Sequence, residues 1–219
     1  LEDLESARRH GLVGDVGGGA MFMALGLVSG ILHARTSGQG QVIDTAITDS
    51  CALMSTLVQG LRNQRLWADR RQSNALDGGA HWYDCDECAD GEWISVGALE
   101  PQFYRLLLEK CGLAGQGFEA VQFDVAGWPL HKAKFAELFR TRSRAEWCSL
   151  LEGTDVCFAP VLNFAEAQQH PHNVARQVYV EVDGVTQPAP APRFSATPAE
   201  VRSPPAGVGS ETKALLESA

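Results

Sequence analysis

Two carboxylates stand in settings where an acid could do more than solvate a surface. Asp15 lies in Gly14-Asp15-Val16-Gly17-Gly18-Gly19-Ala20-Met21, at the mouth of a long apolar run. Glycines let backbone approach a ligand closely, and amides at a helix start favour negative charge on a carboxylate or a substrate oxyanion. Glu100 lies in Val96-Gly97-Ala98-Leu99-Glu100-Pro101-Gln102-Phe103-Tyr104, at a strand-to-helix junction among apolar residues. Desolvation raises the pKa of such an acid and a helix terminus lowers it, so it can be tuned as a general base. Each residue also has a plainer reading as an N-cap, a position aspartate fills well. Other chemistries lack support. Cys85-Asp86-Glu87-Cys88 has the spacing of a metal half-site without a second pair. His170-Pro171-His172 reads as loop histidines lacking a carboxylate or cysteine neighbour, so no metal is expected. No Gly-x-Ser-x-Gly elbow, Walker loop or His-Glu-x-x-His occurs, and no strand precedes the Asp15 glycines as a dinucleotide loop requires.

The elements that must hold these acids can be read from pattern. Val16 to Leu32 carries no charge and approaches membrane-spanning length, but its many small residues suit a core helix packed closely on its neighbours. Gln41 to Ile47 is β-branched enough for a strand. A second helix, capped by Thr48 or Asp49, is expected to end near Ala68. His81 to Asp86 and Glu92 to Val96 flank Ala89-Asp90-Gly91 as a hairpin. Pro101 opens a helix capped by Glu100 and ending at Gly112. One helix follows from about His131 to Arg140, and another starts at the capping box Ser143-Arg144-Ala145-Glu146 and closes at Gly153. Val156 to Leu162 reads as a strand leaving this small α+β unit, Asn163 to Gln169 as a short helix and Gln177 to Val182 as the last strand. Six of the 10 prolines fall between Pro188 and Pro205, which predicts an extended tail with a short helix after Ser210.

Composition bounds the partners. The 219 residues are 45% hydrophobic and 21% charged, ordinary for a globular chain with one large or two smaller domains. A formal net charge of -9 argues against nucleic acid as a partner and requires any phosphate site to be a local basic pocket. The six cysteines are scattered rather than dense, which points to a reducing compartment. The sequence starts at Leu1 without a signal-like apolar stretch, so the start of the whole polypeptide is expected upstream.

Taken together the segments resemble the α-methylacyl-CoA racemase branch of the class III CoA-transferase (CaiB/BaiF-like) family. The carriers are Gly14-Asp15-x-Gly-Gly-Gly, residues 36–44 (Thr-Ser-Gly-Gln-Gly-Gln-Val-Ile-Asp), residues 74–80 (Asn-Ala-Leu-Asp-Gly-Gly-Ala), residues 96–104, and Ala145-Glu146-Trp147-Cys148 with Gly153-Thr154-Asp155-Val156-Cys157. The resemblance implies that Asp15 is the family aspartate, a proton-transfer residue in racemases and a covalent nucleophile in transferases. It implies that Glu100 works with a histidine as the opposing acid/base. None of the six histidines here sits in a matching motif. Gly17, Gly18, Ile47, Ala75, Leu76, Tyr83 and Leu99 are implied to line the acyl site. Ile47 and Ala75 stand where racemases tend to carry methionines, whose loss would alter the surface offered to an acyl chain. His81 replaces a usual proline, and Gly11 an asparagine.

The resemblance therefore implies an α/β fold: part of a Rossmann-like large domain (1–70), a linker and small α+β domain (71–165), and a return segment packing on the large domain (166–219). The implied activity is racemisation or epimerisation of 2-methylacyl-CoA thioesters within an interlocked homodimer, with coenzyme A as part of the substrate and no separate cofactor. Asp15 and Glu100 would then come from different subunits. Residues 98–101 (Ala-Leu-Glu-Pro) stand where transferases carry a glycine-rich loop, which favours the racemase over a CoA-transferase using an aspartyl intermediate. A non-catalytic remnant is the remaining alternative. The expected location is the bacterial cytoplasm, or mitochondria or peroxisomes in a eukaryote. A large-domain helix without its sheet would expose a wide apolar face, so the piece alone is expected to aggregate or bind a partner tightly.

Overall fold

A computed structural model describes residues 11–210 together with Thr212 and Leu216. The chain divides into two compact units, the first made of residues 11–83 and 123–129, the second of 84–122 and 130 onward. This differs from the boundaries expected at residues 70 and 165. The first unit runs on to Tyr83 and takes back a later stretch of chain, and residues beyond 165 cluster with the second unit.

In the first unit, α1 is one continuous helix, Gly11–Ser37. Its opening Gly11–Met21 is a wide π-helical coil, and Phe22–Ser37 is regular α-helix. It ends at Gly38 in the left-handed conformation, where φ is 74° and the amide bonds back to the Ala34 carbonyl, a glycine C-terminal stop. The strand expected over Gln41 to Ile47 is absent. That stretch is extended, with Val42 95% exposed and no ladder partner among the described residues. β-branched residues favour extended backbone, but a strand exists only where another strand pairs with it. Ile43 instead fills the small-residue groove of α1: a β-carbon at Gly26 would lie 2.9 Å from its Cγ2, and one at Gly30 would collide with its Cδ1.

The second helix differs as well. It starts at Ile47 rather than after a Thr48 or Asp49 cap and breaks at Ser55 into α2 (Ile47–Met54) and α3 (Thr56–Asn63), stopping short of Ala68. Ser55 and Thr56 hydroxyls donate to the carbonyls of Ala52 and Leu53, at 2.8 and 2.5 Å, competing with the helix's own ladder at the break. The unit's small core holds Ala80 and Trp82, with Phe123 and Trp128 packed edge-to-face on Trp82 at centroid distances of 5.7 and 6.2 Å.

The second unit follows the sequence more closely. β1 (Tyr83–Glu87), β2 (Trp93–Gly97) and β3 (Phe158–Val161) form a three-stranded sheet in that order. β1 and β2 meet at Gly91, whose φ of 79° the turn requires. β3 does not leave the unit as expected. It pairs antiparallel with β2 from Trp93 opposite Val161 to Val96 opposite Phe158. Helix α4 (Pro101–Lys110) buries Tyr104, Leu107 and Leu108, one face at helical spacing. Helices α5 (Trp128–Phe139) and α6 (Arg144–Leu151) complete the core through a ladder of edge-to-face rings. Phe118, Phe135, Phe139 and Trp147 follow one another at 5.6, 5.9 and 5.2 Å. The Trp147 indole donates to the Phe139 carbonyl at 2.8 Å, so its polar edge is satisfied inside the core.

The Ser143 capping box is present, and Asn163 forms a second one at α7 (Phe164–Gln169). The His170-Pro171-His172 stretch is not a loop, because Pro171 starts a further short helix, α8 (Pro171–Ala175). Nor is β4 (Tyr179–Val182) the last strand, since β5 (Val185–Pro188) folds back on it antiparallel across Asp183-Gly184. The tail from residue 189 to 210 forms neither helix nor strand and runs through bends and a turn rather than one extended stretch. Of the terminal helix expected after Ser210, only Thr212 and Leu216 are among the described residues, and both are helical.

Candidate active site

Asp15 is exposed and is the fifth residue of the wide coil, so it is not the helix cap that its neighbours in the sequence allowed. Helical structure already exists at Gly11, and the glycines place no β-carbon in the way of the widened turn. The glycine run closes the coil onto the start of α2. A β-carbon at Gly18 would lie 2.8 Å from Cys51 Sγ, and one at Gly19 would lie 3.3 Å from Ile47 Cγ1. Ile47 also reaches Gly14, whose β-carbon position is 3.8 Å from its Cγ2, and Met54 sits beside Gly17 in the same way. Gly17, Gly18 and Ile47 therefore share one helix-to-helix contact in which Gly18 is buried, and Asp15 stands exposed on the same coil.

Ala75 and Leu76 sit on a turn built by the flanking Asn74 and Asp77. Asn74 is buried, its Oδ1 accepting from the Ala68 amide at 2.7 Å and its Nδ2 donating to the Ala68 carbonyl at 3.0 Å and to Asp77 Oδ2 at 2.7 Å. Asp77 Oδ1 accepts the amides of Asn74 and Gly79 at 2.8 and 3.2 Å. Gly79 is required because a β-carbon there would meet Asn74 backbone at 2.7 Å, and Gly78 takes a φ of 81°. The motif thus fixes a polar-stitched loop with an apolar tip. Tyr83 begins β1, more than a third exposed, its ring edge-to-face with Trp82 at 6.2 Å. All these residues belong to the first unit.

Leu99 and Glu100 belong to the second. Glu100 occupies the N-cap of α4 with extended backbone, yet its side chain makes no capping bond. The cap is served by its carbonyl, which accepts the Phe103 and Tyr104 amides at 3.0 Å each. The exposed carboxylate is therefore not consumed by the helix it starts. Cys157, in the left-handed region with a φ of 54°, turns its carbonyl to the Gly97 amide at 2.9 Å. Burial pushes the Cys157 thiol up, and the charges of Glu100 and Asp155 push it further, which places Glu100 near this crossing of chain. Gln122, marked by no sequence pattern, is buried against the same junction. Its only signal is spatial, because a lone glutamine between two helices has no periodicity to betray it.

A sequence profile of CoA-transferase family III matches residues 2–212. The chain is 43% identical over 190 residues to α-methylacyl-CoA racemase of Mus musculus, covering 86% of this chain and 49% of that protein. It is 39% identical over 189 residues to α-methylacyl-CoA racemase of Homo sapiens, with the same two coverages of 86% and 49%. The crystal structure of a CaiB/BaiF family protein from Brucella suis superposes with a TM-score of 0.70 at 17% identity, over 92% of this chain and 53% of that one. The chain belongs to CoA-transferase family III, and its mixed α/β fold is that of the CaiB/BaiF proteins. It spans about half the length of the curated relatives it matches.

Proposed function

We propose that the polypeptide containing this chain racemises 2-methylacyl-CoA thioesters. The observation that carries the reading is Glu100, a carboxylate held at a strand-to-helix junction and left unused by its own cap, in a chain 43% identical to an α-methylacyl-CoA racemase. A proton beside a thioester carbonyl is weakly acidic. One carboxylate takes it, the C–H electron pair moves into the carbonyl as an enolate oxyanion, and an acid on the other face returns a proton to the carbon. Bond making and breaking balance without an added cofactor, coenzyme A being part of the substrate. Asp15 is the acid/base for one face and Glu100 belongs to the other, the two supplied by different subunits of a homodimer. Ile47, Ala75, Leu76, Tyr83 and Leu99 offer apolar or amphipathic surface for the acyl chain, with Gly17 and Gly18 beside Asp15.

The test is incorporation of deuterium from D2O at the α-carbon of a 2-methylacyl-CoA by the whole polypeptide. Asp15→Asn and Glu100→Gln are each expected to slow exchange by about 100-fold or more, the usual worth of a positioned acid/base. Exchange at the normal rate in both variants would sink the assignment. Transfer of CoA from one carboxylic acid to another, with a labelled acyl-aspartate at residue 15, would identify the transferase chemistry instead.

A further inference from the structure

The structure points to a residue that holds Glu100 in place. Gln122 is 5% exposed, and its Nε2 donates to two successive carbonyls, Ala98 at 3.2 Å and Leu99 at 2.9 Å, the pair immediately before Glu100. One amide nitrogen thus serves a two-residue step of backbone more than 20 positions away in sequence. The segment bearing Gln122 is tied in turn to the helix that Glu100 starts. The buried Tyr104 hydroxyl donates to the Phe118 carbonyl at 3.2 Å, and the Phe118–Ala120 turn leads directly to Gln122. Since the Glu100 carbonyl accepts the Tyr104 amide at 3.0 Å, the links close a ring: Gln122 to Leu99, through Glu100 to Tyr104, to Phe118 and back along the chain. On the other side, Gly97 is held by the Cys157 carbonyl and Leu99 bonds back to Gly97 at 2.8 Å. Every member lies in the second unit.

Such a ring has a chemical purpose beyond stability. The Ala98-Leu99 step is not in a helix or a sheet ladder, so no regular backbone pairing fixes the direction of these two carbonyls. An error of about 1 Å in a reacting group can cost about 100-fold in rate. We infer that Gln122 is a positioning residue for Glu100: it clamps the Ala98-Leu99 carbonyls so that the Glu100 carboxylate is presented at a fixed place and angle. The inference rests on the reading of Glu100 as a proton-transfer residue.

The experiment compares Gln122→Met, which keeps the length and loses both donors, with Glu100→Gln and the double variant, all in the whole polypeptide. Turnover and KM are measured for racemisation of a 2-methylacyl-CoA, and backbone hydrogen exchange is followed over residues 97–104. Gln122→Met is expected to lower kcat about tenfold with KM changed less than twofold, to speed exchange in 97–104, and to add no further loss on the Glu100→Gln background. Should it fold poorly, Gln122→Asn keeps the amide but is one methylene short of Leu99, and the same pattern is expected of it. Normal kcat in both Gln122 variants while Glu100→Gln is impaired overturns the inference and leaves the reading of Glu100 standing. A rise in KM alone, or losses that multiply in the double variant, also overturns it, since Gln122 would then act elsewhere. Full activity of Glu100→Gln removes the reading itself and the inference with it.

Discussion

Asp15 and Glu100 show how far single residues can be read from sequence. Both stand where a cap is expected, and both motifs were visible. What the sequence could not show is that Asp15 sits inside a helix already under way, or that Glu100 caps through its carbonyl while its carboxylate stays idle. Those facts depend on the length of helix upstream and on one side-chain rotation, neither of which residue type encodes. A third acid was not singled out at all. Burial raises Asp86 to about pH 6, with the Asp84 charge adding to the effect and Lys132 and Arg140 opposing it. Because the folded state holds this proton more tightly than the unfolded chain, Asp86 destabilises the fold fully above about pH 6, and that cost fades as the pH falls toward 4. Asp86→Asn should therefore raise stability at pH 7.5 by roughly 2 kcal/mol after allowance for partial exposure, with the gain gone near pH 4. Paired urea titrations at the two pH values check it, and an equal effect at both would refute the sign.

At the scale of elements, local signals were legible and non-local ones were not. The β1–β2 hairpin, α4 behind Pro101, α6 behind Ser143 and α7 behind Asn163 all carry their start or stop in adjacent residues. Residues 41–47 read as a strand because Val42, Ile43 and Ile47 have the propensity, but pairing depends on another strand that no described residue supplies. β5 was missed for the converse reason: it is only four residues long and ends in Gln187 and Pro188, weak strand residues paired because β4 is beside them. Capping predicts a measurable cost. Ser143 Oγ accepts the Glu146 amide, and Glu146 returns a bond to the Ser143 amide at 2.8 Å. Ser143→Ala should lose about 1 kcal/mol. Arg144, next in line, joins α6 to the sheet edge by donating to the Val161 carbonyl at 2.7 Å and to Glu92 at 2.9 Å, and it pairs with Glu166 of α7. Arg144→Met, which retains the stem and loses these bonds, should cost more than Ser143→Ala in the same urea titration. The reverse ranking would show that α6 is held by its cap rather than by its arginine.

For the whole molecule, the uncharged run at 16–32 was read as a buried core helix, and here it is not buried. Leu25, Val28 and Leu32 remain 64%, 66% and 62% exposed, although the groove of Gly26 and Gly30 is filled by Ile43. The helix is long and apolar enough to cross a membrane, but its small-residue face is occupied by chain from the same unit. So much exposed apolar surface favours association. Produced as these 219 residues alone, the chain should bind a hydrophobic dye strongly and elute well above its 23.6 kDa. Leu25→Lys together with Val28→Lys should reduce both. A dye-silent monomer would contradict the exposure seen here.

The return of residues 123–129 to the first unit has a temporal side. Trp82 leaves the ribosome before Phe123 and Trp128, the two rings that close over it, and most of the second unit's sheet and α4 are made in between. The earlier-translated unit must therefore wait for a later stretch of polypeptide before its aromatic cluster can set. Nascent chains stalled short of Phe123 should show an open, protease-sensitive 80s region that tightens once Trp128 has emerged.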